Sequence, residues 1–121
     1  MILSFAWTTE AFLSGKKTCT RRPGWSKTHF EQWLRAWREG RRVHEAWDKS
    51  PRSGGKRIGW FRLTCEPYLE RLCDMPEADL EAEGGLWDSI EKFIGLQGVP
   101  AETVTPVLRF EILRFEKVKG E

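Results

Sequence analysis

Eight consecutive residues, Gly15-Lys16-Lys17-Thr18-Cys19-Thr20-Arg21-Arg22, bring four cations, two hydroxyls and one thiol together. A run this basic can draw in a phosphate-bearing ligand. Arg35, Arg38, Arg41, Arg42, Arg52, Lys56 and Arg57 extend the basic stock, although a charged helix face is ordinarily just solvated. Seven tryptophans exceed what a core of this size requires. Trp33, Trp37 and Trp47 read as core by periodicity, whereas Trp25 and Trp60 adjoin basic or glycine-bearing segments and are the two placed to stack on a base. His29 and His44 have no partner at metal-ligand spacing, and Cys19, Cys65 and Cys73 show neither CxxC nor Cys/His spacing, so they read as reduced thiols. No metal and no cofactor is expected.

The net charge of +2 conceals an asymmetry. Residues 1 to 62 carry 14 Lys and Arg against 5 Asp and Glu, a net of +9; residues 63 to 121 carry 6 against 13, a net of −7. Either a basic face lies beside an acidic one, or the two halves pair in the fold and cancel. At 121 residues, with 40% hydrophobic and 12% aromatic side chains, the chain reads as one globular domain spanning 1–121. No apolar run approaches the roughly 20 residues that cross a bilayer, and the N-terminus lacks a leader pattern, so a cytoplasmic location and no membrane partner are expected. Oligomeric state is not legible, and a monomer is assumed.

The elements that must position these groups follow from local pattern. Ile2 to Trp7 is an apolar run suited to a buried strand. A short helix capped by Thr8 or Thr9 follows, with Phe12 and Leu13 inward and Gly15 ending it left-handed. Lys17 to Arg21 alternates like a strand. Ser26 caps a longer helix over 26–40, whose Phe30, Trp33, Leu34 and Trp37 form an inner face and which Gly40 stops. Arg41 to Asp48 and Arg57 to Cys65 are strands on either side of the Ser50–Gly55 loop, the second reaching Arg71 after a break at Pro67. Asp74-Met75-Pro76-Glu77 starts a short helix that ends at Gly84-Gly85. Trp87 to Leu96 is amphipathic, and Val104 to Phe115 is a closing strand with Pro106 near its start. Strands interleaved with irregularly spaced short helices imply an α+β domain, most economically a small mixed barrel with helices over its ends.

Three segments, in order, resemble the ASCH family of the PUA-like superfamily. Gly15 to Arg22 matches GxKxxTxR, similar to the family's GxKxxExR-like signature and to the threonine version of small bacterial N(4)-acetylcytidine amidohydrolases. Met75 to Gly85 (MPEADLEAEGG) resembles the family's acidic helix, and Val107-Leu108-Arg109-Phe110-Glu111 its closing strand. The resemblance spans the whole chain and implies a PUA-like small β-barrel. One departure is that the family's short members lack a helix as long as Ser26 to Gly40, an insertion able to reshape the cleft.

Carried onto this sequence, the resemblance implies a catalytic group of Lys17, Thr20 and Glu83, with Gly15 and Arg22 completing the motif; Arg21 as a neighbouring cation, and Trp25 and Trp60 by their own surroundings, are expected near the ligand. Amide hydrolysis needs a nucleophile, a proton acceptor and oxyanion stabilisation. Thr20 can supply a hydroxyl or position a water. Lys17 can accept a proton only when neutral, which requires burial or neighbouring cations. Glu83 can orient Lys17, relay a proton or hold the ligand. Strand alternation opposes the group, since Lys17 and Thr20 fall on opposite faces unless a bulge or the Gly15 turn intervenes. Two functions follow: an RNA- or nucleoside-binding module with a basic cleft for a base or nucleotide, or a hydrolase, either an amidohydrolase of N(4)-acetylcytidine or a ribonuclease.

Overall fold

The computed structural model describes residues 1–115 of the chain; residues 116–121 of the expected domain lie outside the described residues. Strands β1 (Ile2–Ser4), β2 (Cys19–Arg21), β3 (Val43–Trp47), β4 (Arg57–Leu63), β5 (Tyr68–Arg71) and β6 (Val104–Phe115) are interleaved with helices α1 (Thr9–Leu13), α2 (Lys27–Arg38), α3 (Asp79–Ala82) and α4 (Ile90–Gln97). This is the mixed α+β class implied by the sequence. All six strands share one sheet of order β1-β3-β4-β6-β2, with β5 also paired to β6. β1 runs parallel to β3, and the remaining pairs are antiparallel.

The 12-residue β6 organises the sheet. Its first half holds both β5 and β2, with Val107 opposite Tyr68 on one side and Arg21 on the other, and its second half passes to β4. Pro106 therefore sits inside the sheet rather than at an edge. Its carbonyl, the one polar backbone group proline keeps, accepts from Arg22 N at 3.1 Å.

Closure into a barrel is not seen, because the strand path stops at β1 and β2. β1 ends early: the expected strand over residues 2–7 turns at Ala6, whose φ of 46° starts a 3-10 turn over Ala6–Thr8. The seam is bridged instead by a side chain, Arg22 NH2 donating to the Ser4 carbonyl at 2.8 Å.

Two apolar clusters lie around this frame. The larger contains Leu3, Phe5, Phe12, Trp33, Ala46, Phe61, Leu63, Leu108 and Phe110; the smaller contains Leu72, Met75 and Phe93, with Trp87 packed against it. Helix α2 sends Phe30, Trp33 and Ala36 inward, and Trp33 packs on His44 and Phe61. Ser26 caps this helix by accepting from His29 N at 3.0 Å. Ser26→Ala is expected to cost about 1 kcal/mol in urea unfolding, with an unchanged near-UV spectrum, since only one terminal N–H loses its acceptor. Among the described residues no helix is long and apolar enough to cross a membrane.

Candidate functional site

The Gly15 turn delivers the first site residue. With φ at 83°, Gly15 ends α1 and reverses the chain so that Lys16 N and Lys17 N both donate to the Ala11 carbonyl. Lys17 is thereby turned inward. On the opposite wall α3 ends at Glu83, followed by Gly84 and Gly85, both at positive φ. A Cβ on Gly84 would come within 3.3 Å of the Ala11 Cβ, so this glycine allows the end of α3 to press against α1.

The result is an ion pair with almost no exposure, Lys17 at 2% and Glu83 at 3%. Lys17 Nζ donates to the Glu83 carbonyl at 2.7 Å and to Oε1 at 3.2 Å. Arg21 NH1 donates to Glu83 Oε2 at 3.1 Å, while its NH2 reaches Glu70 at 2.6 Å and Asp79 at 2.7 Å. Arg109 also donates to Asp79 and to Tyr68 Oη. Burial lowers the Lys17 pKa despite the attraction of Glu83. Burial would also lower Arg21, but its hydrogen bonds to Glu70 and Asp79, with Glu83 beside them, outweigh it and hold the guanidinium charged. Burial first, and then Glu83, push the Cys19 thiol up to about 12, so this sulfur is inert as a nucleophile.

Alternation along the chain persists into the site. Lys17, Cys19 and Arg21 all contact Glu83, whereas Thr20 Oγ1 accepts from Arg22 Nε at 3.0 Å. Thr20 is thus hydrogen-bonded to Arg22 and not to Lys17. Both sets nevertheless line one cavity of about 440 Å³, with Phe5, Trp7, Trp25 and Trp87 among its walls. It lies between the two apolar clusters, to which Phe5 and Phe93 respectively belong.

Of the residues singled out by sequence, Lys17, Thr20, Arg21, Arg22, Trp25 and Glu83 line this cavity. Gly15 shapes the turn and is not on the wall. Trp60 is a correction: it lies on β4 opposite Glu45, with Arg57 over its ring at 4.8 Å, away from the cavity. Its place follows from strand register, which composition does not reveal. Trp7, Trp87 and the supporting Glu70, Asp79 and Arg109 escape a sequence reading because they are distant along the chain. Asp79 in the acidic segment and Arg109 in the closing strand were the available signals. No residue of α2 itself lines the cavity; its leading Trp25 does, stacked on Trp33 at 5.5 Å.

The charge asymmetry also finds its answer. Lys16–Glu81, Lys17–Glu83, Arg21 with Glu70, Asp79 and Glu83, Arg38–Glu66 and Arg62–Glu111 join the basic half to the acidic half. These pairs take five of the 14 cations of the basic half, Lys16, Lys17, Arg21, Arg38 and Arg62.

No family model matches the chain, and no curated protein matches it. Among solved structures, the crystal structure of protein EF3133 from Enterococcus faecalis V583, described by the family model DUF984, is similar with a TM-score of 0.56. The likeness covers 98% of this chain and 79% of that one at 14% identity, and concerns the fold.

Proposed function

We propose that the cleft binds a nucleoside, free or as a base presented by RNA, in a cytoplasmic domain of the ASCH type. On this reading the sheet is a PUA-like barrel whose last seam is bridged by Arg22. The observation that carries the proposal is the buried Lys17–Glu83 pair set in a cavity of about 440 Å³ with aromatic walls. Convergent polar and charged groups beside aromatic walls suit a planar, hydrogen-bonding ligand of nucleoside size. The cations that line the cavity are Lys17, Arg21 and Arg22, so a ligand held there engages few phosphates.

Calorimetry with cytidine and quenching of tryptophan fluorescence test this. Lys17→Met should weaken binding by at least about ten-fold, since a charge-assisted hydrogen bond is worth roughly 1.5–3 kcal/mol. Short single-stranded RNA should bind with a shallow salt dependence, a log–log slope no steeper than about −2. Absence of nucleoside binding sinks the proposal, and a slope several times steeper transfers the function to backbone capture.

A second reading, amide hydrolysis of N(4)-acetylcytidine, is favoured by one observation: burial lowers the pKa of Lys17 beside a carboxylate in the cavity. Neutral Lys17 would take the proton of the attacking hydroxyl or water, and the released exocyclic amine would gain one as the C–N bond breaks. Incubation followed by chromatography should yield cytidine and acetate, and Lys17→Ala should abolish it. Chain cleavage of RNA instead would mark a ribonuclease.

A further inference from the structure

The cations of the cleft differ in what neutralises them. Lys17 has Glu83, and Arg21 has three carboxylates. Arg22 has none among the described residues. Its Nε donates to the Thr20 hydroxyl and its NH2 to the Ser4 carbonyl, both neutral acceptors, while Phe5 lies 5.7 Å from its guanidinium carbon. NH1 has no protein acceptor among the described residues, although Arg22 lines the cavity. Arg22 is half-buried, and a partly desolvated guanidinium with no carboxylate within ion-pair distance gains when an anion arrives. Consistent with that, burial pulls the Arg22 pKa down to about 10, against the longer-range attraction of Glu83.

Thr20 orients that guanidinium. Its Oγ1 holds the Nε edge, so NH1, on the opposite edge, is the nitrogen left for a ligand.

We infer that the cleft ligand carries an anionic oxygen group, and that this group sits on Arg22 NH1, so that a phosphorylated nucleoside is preferred over a neutral one. The inference rests on the nucleoside reading for the organic part of the ligand but not for the anion. The seam-bridging guanidinium therefore has two tasks: it ties β1 to β2 and reads charge.

Two measurements test it. Inorganic phosphate, titrated at constant ionic strength against chloride, should give a saturable rise in melting temperature in the millimolar range. Arg22→Gln should remove the saturable part and Thr20→Val should weaken it several-fold. Calorimetry of the unaltered protein should show cytidine 5′-monophosphate binding at least about ten-fold more tightly than cytidine, about 1.4 kcal/mol. Arg22→Gln should bring the two together, and Arg22→Lys, which keeps the charge but loses the fork, should fall between.

Equal affinity for cytidine and its monophosphate in the unaltered protein overturns the inference, whatever the variants do. A phosphate effect identical in wild type and a folded Arg22→Gln also overturns it. Saturable phosphate binding through Arg22 without any nucleoside binding would support the anion seat while removing the nucleoside reading.

Discussion

Arg21→Met should lower the unfolding free energy at pH 7 by about 3–5 kcal/mol, the usual cost of removing one partner from a buried ion cluster. Methionine fills most of the arginine volume, so the loss reports charge rather than a cavity. Glu83 would keep Lys17 and Asp79 would keep Arg109, but both carboxylates are nearly buried and each would lose a cation, as would Glu70. Arg21 is also one of the two arginines that hold the Asp79 pKa low, so Asp79 loses less stability on protonation in the variant, and the difference from wild type should narrow as pH falls from 7 toward about 4. Urea unfolding of both proteins at pH 7 and pH 4 reads this directly. A loss under 1 kcal/mol, or a difference independent of pH, would show that the cluster is not held by Arg21. Addition of Glu70→Gln to the variant should return part of the loss, because Arg21 is the cation that Glu70 pairs with and a neutral amide needs no counter-charge.

The second large effect is a loss of stability in mild acid traced to one histidine. His44 is 2% exposed, packs against Trp33 at 4.6 Å, and its Nδ1 is 2.8 Å from the Met1 amine. Burial, reinforced by the positive N-terminus and opposed by a backbone hydrogen bond at Arg41, lowers its pKa from 6.5 to about 4. The folded state thus keeps His44 neutral where the unfolded chain would protonate it. The sign follows: the stability is complete above pH 6.5 and is lost as pH falls toward 4. The full drop is about 3 kcal/mol, at 1.36 kcal/mol per pH unit. Asp79, whose pKa its hydrogen bonds from Arg109 and Arg21 hold low against the upward push of burial, loses its contribution at more acidic pH. Chemical denaturation at half-unit steps from pH 7 to 4 should show the slope in wild type and a nearly flat line in His44→Phe. An equal slope in both would exclude His44 as its source.

The elements were legible because their signals are local. Ser26 caps α2, Gly15 and Gly40 take the left-handed conformation past their helices, and Phe30 and Trp33 point inward, as the 3.6-residue period requires. Even the parity argument at the site survived, since residues 17, 19 and 21 reach Glu83 and residue 20 pairs with 22. What parity could not convey is that one cavity reaches both sets. The partial errors have the same origin. Leu13 was placed inward by local pattern but is exposed, and Trp60 was placed near the ligand by its glycine neighbour but faces elsewhere.

Residue types and short-range periodicity by themselves determined where most strands and helices lie and which faces are apolar, whereas Lys17, Thr20 and Glu83 stand out as a group only through the family resemblance. Tertiary structure alone decided which charges meet. Lys17 and Glu83 are 66 positions apart, and Arg21 and Asp79 are 58 apart. No local rule spans such distances; sheet register and the close approach of α3 to α1 at Gly84 set them. The same packing gave Lys17 and Arg21 their carboxylates and left Arg22 with none within ion-pair distance, because a charge is settled by its neighbours in space rather than in sequence.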